Sequence, residues 1–122
     1  MAINQPKLKQ LEQRTIDFSV SIVRTSAQYT SDLALRPIIA QLIRSATAIG
    51  ANYAEANNVS SKDDYKTKIH MAKKEAVETQ YWLKILSELL PKDDFKSLSK
   101  ESLELTMIME KILLVMDKPD ER

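Results

Sequence analysis

Apolar residues recur at alternating intervals of three and four along nearly the whole sequence, in four blocks separated by short polar breaks. That interval returns side chains to one side of an α-helix, so each block is expected to form an amphipathic helix. The first, over about residues 7–29, carries Leu8, Leu11, Thr15, Phe18, Ile22, Thr25 and Tyr29 on one face. The second, over 34–57, carries Leu35, Ile39, Leu42, Ala46, Ile49, Tyr53 and Ala56. Ser31 or Asp32 can cap it, and Pro37 falls in its first turn, where a missing N–H costs nothing. The third, over 61–90, carries Tyr65, Ile69, Ala72, Ala76, Thr79, Leu83, Leu86 and Leu90. Ser61 with Asp64 makes a capping box with Asp in the usual Glu position, and Pro91 stops the helix. The fourth, over 94–117, begins at a cap from Asp93 or Asp94 and carries Phe95, Leu98, Ser102, Leu105, Met109, Ile112 and Met116, leaving 118–122 as a frayed tail. Short connections between long helices predict an all-α domain spanning 1–122, an antiparallel up-down-up-down four-helix bundle.

Two helices carry more apolar surface than one core requires. On the first, Ile16, Val20, Val23 and Ala27 form a second stripe roughly opposite the first, and on the fourth Leu103, Met107 and Leu114 do the same. The third adds an apolar flank of Met71, Trp82, Ile85 and Leu89. Scattered surface apolar residues are ordinary, but ordered second faces are expected to be buried by copies of the same chain. Ile16, Val20, Val23, Leu103, Met107, Leu114 and Trp82 are therefore the expected oligomer interface.

Composition agrees with helices and removes several chemistries. Gly50 is the one glycine, too few for a phosphate-cradling loop. The chain has no cysteine, so disulfides, thiolate catalysis and cysteine-based zinc sites are out. His70 is the one histidine, which rules out a di-iron bundle needing two Glu-x-x-His motifs and makes a Ser-His-Asp triad implausible. The expectation is a non-enzymatic protein with no cofactor and no metal. The first ten residues lack an apolar signal core, and the longest apolar run, 112–116, is far shorter than a membrane span. A cytoplasmic protein without a membrane role is expected.

Net charge is +1, but the charge is unevenly placed. Residues 62–74 hold five Lys and His70 against two Asp, while 91–122 hold six basic and eight acidic groups. On the third helix Lys62, Lys66, Lys73 and Lys84 share a narrow angular window. They form either a solvated face or a ridge for nucleic-acid phosphates, with Arg44 as a further phosphate contact. On the second helix Gln41, Arg44, Ser45, Ala48, Ala51, Asn52 and Glu55 share a face. Arg44 and Glu55 are three turns apart and need partners elsewhere. Glu75 and Glu78 suit Arg44, and a lysine of the third helix suits Glu55. Arg44, Asn52, Glu55, Glu75 and Glu78 thus form a structural polar network or, alternatively, part of a ligand or RNA site.

The same two helices carry a resemblance. Arg44-Ser45-Ala46, Ile49-Gly50-Ala51-Asn52-Tyr53 and Glu55-Ala56, followed by Ser61-Lys62, Asp64-Tyr65, Lys68, Ala72, Lys74-Glu75-Ala76, Glu78-Thr79 and Tyr81-Trp82-Leu83, resemble the signature of the bacterial rRNA intervening-sequence proteins. Some members have Gly at the Ala56 position and Phe at the Tyr65 position, and neither change alters the helical reading. The resemblance implies a four-helix bundle and a ring-like homopentamer. It also implies kinship with the accessory variability determinant of diversity-generating retroelements, which binds a reverse transcriptase and nucleic acid through basic surfaces. RNA or a reverse transcriptase is the partner so implied. A protein-interaction scaffold with no nucleic-acid role is the alternative.

Overall fold

The computed structural model describes residues 5–90 and 93–118. Pro91, the expected stop of the third helix, and the tail from Pro119 onward lie outside the described residues, as do the side chains of Leu8 and Asp93. Four helices, α1 (Gln5–Ala27), α2 (Arg36–Ala56), α3 (Lys62–Leu89) and α4 (Lys96–Met116), make an all-α four-helix bundle. Consecutive helices pack side by side, and α1 closes the bundle against α4.

The helix ends follow local chemistry. Ser61 is the N-cap of α3 in an extended conformation, and its hydroxyl accepts the Asp64 N–H at 3.1 Å. Two expected caps are placed differently. Asp32 Oδ1 accepts the Ala34 N–H at 2.9 Å and so stabilises the turn before α2, while Leu35 occupies the cap position itself. Ahead of α4 the chain makes one 3₁₀ turn, Asp93–Phe95, and Phe95 is the cap, with no side-chain capping bond. Burying Phe95 explains this: the 3₁₀ turn tucks its ring into the core, 5.8 Å from the ring of Tyr29.

The core is built from the four stripes, except that near the end of α1 Ser26 is buried where Thr25 was expected and Thr25 is only partly covered. Every residue expected on the α2 stripe is buried, and on α3 all from Tyr65 to Leu86 are buried, with Leu90 at the edge. On α4 the stripe is rotated slightly near its end: Leu113 is buried, whereas Ile112 and Met116 are only partly covered. A seam of small hydroxyls crosses the core. Thr79 donates to the Glu75 carbonyl at 2.7 Å and lies 2.9 Å from the Ser45 hydroxyl, and Ser102 donates across from α4 to the Ala76 carbonyl at 3.1 Å. Each hydroxyl is thus satisfied, which offsets the cost of its burial.

Candidate functional site

Five exposed surfaces bear on function, and each is set by which side of its helix faces a neighbour. Where α2 packs on α3, Arg44 Nη1 donates to Glu75 Oε2 at 2.8 Å, its Nη2 is paired with Glu78, and its Nε donates to Gln41 Oε1 at 3.0 Å. Trp82 joins from one turn beyond, donating its indole N–H to Glu78 Oε2 at 3.0 Å, with Tyr81 packed edge-on at 5.2 Å. Part of the Trp82 ring therefore belongs to this cluster and to the edge of the core.

The expected polar network is divided in two. Glu55 lies about 16 Å along α2 from Arg44 at 1.5 Å per residue, and it pairs with Lys68 at 2.9 Å. Asn52 lines the same groove as Arg44 and Glu75, but its amide donates to the Ala48 carbonyl of its own helix at 2.9 Å. Glu55, Glu75 and Glu78 are each bound by a cation, so they form salt bridges within the fold.

The Trp82 indole first, and then Arg44, hold the Glu78 carboxyl below its ordinary value of 4.5. A carboxyl with a folded pKa below its unfolded one contributes stability that is complete above the unfolded value and is lost as pH falls through the folded value. Melting temperature should therefore be level down to about pH 5 and decline below the ordinary 4.5. In Trp82→Phe, carboxyl ¹³C titration should find Glu78 moved up toward 4.5. An unmoved Glu78 would remove the indole from this explanation.

Lys66 and Lys73 of the expected lysine row lie on the other flank of α3, beside α4, whereas Lys68 and Lys74 lie on the α2 side. Lys66 donates to Asp117, and Lys73 Nζ is 3.5 Å from Glu110 Oε1. Lys62 and Lys84 extend the row at either end and are exposed. The row from Lys62 to Lys84 is about 33 Å long at 1.5 Å per residue. Arg44 is not part of it, because Arg44 is bound to glutamates on the α2 side of α3.

Between α1 and α4, Arg14 makes a two-pronged bond to Glu101, both distances 2.7 Å, and a third to Glu104 at 3.0 Å. The Arg14 bond, ahead of its charge, pulls the Glu101 carboxyl below its usual range. No spacing signals this clamp, since its members are 87 positions apart. The one cue is that Arg14 falls outside both apolar stripes of its helix.

The remaining two surfaces are apolar. Ile16, Val20 and Val23 on α1 and Leu103, Met107 and Leu114 on α4 are exposed by between 41% and 64%. The α1 stripe leans toward α2, where Thr47, Gly50, Ala51 and Ala54 continue it as a shallow groove. The α4 stripe borders a second open groove that runs to Arg14 and Lys111.

Comparison with known proteins identifies this bundle. The 23S rRNA-intervening sequence protein family matches residues 9–111, which spans all four helices. The chain belongs to that family. Among solved structures, a crystal structure of a protein of unknown function from the S23 ribosomal protein family of Bacteroides thetaiotaomicron is 31% identical, covers 84% of this chain and 96% of its own, and has a TM-score of 0.77. No curated protein matches. Family membership accounts for the order in which the α2 and α3 motifs occur. Among the described residues of this rRNA-intervening sequence protein, no helix is long and apolar enough to cross a membrane.

Proposed function

We propose that this protein is a non-enzymatic, self-assembling bundle that acts by contact, with RNA or an RNA–protein complex bound weakly at the α3–α4 edge. The observation that carries the assembly is the pair of exposed apolar faces, one on α1–α2 and one on α4. They differ in lining: the first is a groove floored by Thr47, Gly50, Ala51 and Ala54, the second a groove beside Met107 and Leu114 that runs to Arg14 and Lys111. Two unlike faces suit a head-to-tail contact, which gives a ring where the rotation between copies closes and an open filament where it does not. Five copies is the number that the family resemblance implies. The lysine row supports the RNA contact, because Lys62 and Lys84 stay exposed at the ends of a linear set of cations.

A protein-interaction scaffold is favoured by a different observation: Lys66, Lys68 and Lys73 are each paired with a carboxylate of the same chain. Mobility-shift titration of the purified protein with RNA separates the two. The RNA reading expects binding at about 50 mM salt that weakens steeply toward about 200 mM, because each phosphate contact releases counterions. No binding at low salt, or binding indifferent to salt, would leave the scaffold reading in its place.

A further inference from the structure

The two acidic partners of the lysine row are spaced to match it. Lys66 and Lys73 are seven residues apart on α3, Glu110 on α4 and Asp117 at its C-cap are seven apart, and the two helices run in opposite directions. Seven residues are nearly two full turns, so each pair stays on one face over about 10 Å of helix. The matching spacing sets Asp117 on Lys66 and Glu110 on Lys73. Asp117 sits where cations converge. The Lys66 bond first, then the charges of Lys66, His70 and Lys62, hold its carboxyl below the usual aspartate range. Both acids are about half exposed, as each pair lies at the surface of the α3–α4 edge.

We propose that Glu110 and Asp117 act as built-in competitors for RNA, their carboxylates occupying the cation positions that phosphates would take on the α3 lysine row. The inference rests on the RNA reading above. A carboxylate and a phosphate make the same charge-assisted bond to an ammonium. Exposed ion pairs are weak, so a polyanion can displace them. The row would then be a low-affinity site that opens only to a partner offering several phosphates together.

The test is fluorescence anisotropy of a single-stranded RNA oligonucleotide titrated with the full chain. Three variants are compared with the wild type, each checked for an unchanged helical circular-dichroism spectrum. Glu110→Gln with Asp117→Asn keeps shape and removes the two competing charges. Its binding should tighten about fivefold or more at low salt, two exposed pairs being released. Its plot of log affinity against log salt should steepen by about 1.4, two more single-strand phosphates being neutralised. Asp17→Asn with Glu12→Gln changes net charge equally on α1, the helix across the bundle from α3, and should shift affinity less than about twofold. Adding Lys66→Ala and Lys73→Ala to the first pair should cancel its gain. The inference is overturned, with RNA binding intact, if the wild type binds and the Glu110–Asp117 variant gains no more than the α1 variant. It is also overturned if the gain survives loss of Lys66 and Lys73. If neither the wild type nor the Glu110–Asp117 variant binds at low salt, the RNA reading itself falls, and this inference with it.

Discussion

Replacing Gly50 with alanine should destabilise the bundle by about 1–3 kcal/mol, the usual cost of forcing extra volume into a packed contact. The direction is opposite to helix propensity, which favours Ala over Gly by about 1 kcal/mol inside a helix. Packing decides. A Cβ at Gly50 would lie 2.6 Å from Thr15 Oγ1 and 2.9 Å from Thr15 Cβ, well inside van der Waals contact. Thr15 is buried, and its hydroxyl is bonded to the Glu12 carbonyl at 2.6 Å. It is short and β-branched, so it has no flexible end to swing aside. Either α1 backs away from α2 along its length, or Thr15 leaves its rotamer and its bond. The compensating variant follows from the same geometry. Thr15→Ala combined with Gly50→Ala should recover part of the loss, since the Oγ1 at 2.6 Å is gone while the Cβ at 2.9 Å stays and must shift by a few tenths of an ångström. Urea denaturation at one fixed protein concentration measures this, a precaution that matters because association adds to apparent stability. A Gly50→Ala variant more stable than the parent would contradict the close approach of α1 and α2.

The second large effect concerns assembly. Val20 and Leu114 lie on the exposed faces of α1 and α4, and substitution by lysine costs an isolated chain little. In an assembly that buries those faces, an unpaired buried charge is prohibitive. Val20→Lys and Leu114→Lys should therefore each abolish the oligomer at micromolar concentration while leaving the helical spectrum unchanged. Mixing the two variants reveals the contact itself. In a head-to-tail arrangement, Val20→Lys keeps an intact α4 face and Leu114→Lys keeps an intact α1 face, so the mixture should form a dimer that neither forms alone. If each face met its own copy, each variant would dimerise alone and mixing would add nothing. Size-exclusion chromatography with light scattering reads all three samples.

How far the fold could be read from sequence depends on what each feature needs. The α2 and α3 stripes were legible throughout because those helices are central, and a buried face tolerates little error in its period. The α4 stripe shifted at its end, from Ile112 to Leu113, although the α2 stripe of equal spacing did not, so the shift comes from how α4 is rotated against its neighbours. The start of α4 also differed, since burying Phe95 outweighed a side-chain cap from an aspartate. Arg44 with Glu75 and Glu78 was legible because α2 and α3 are joined by a short turn, so residues equally far from the turn come together. The Arg14 clamp and the pairs of Lys66 and Lys73 were not. They depend on the rotation of α4 about its own axis, which the packing of the whole bundle determines. That rotation turned a plain lysine row into one already occupied by acids.

The central claim is that the spare apolar faces exist to be covered by further copies of the chain. Sedimentation equilibrium of the unmodified protein at micromolar concentration tests it directly. The expected result is one species with a mass several times the 13.9 kDa of a single chain. A single species at 13.9 kDa, unchanged as concentration rises, would contradict it.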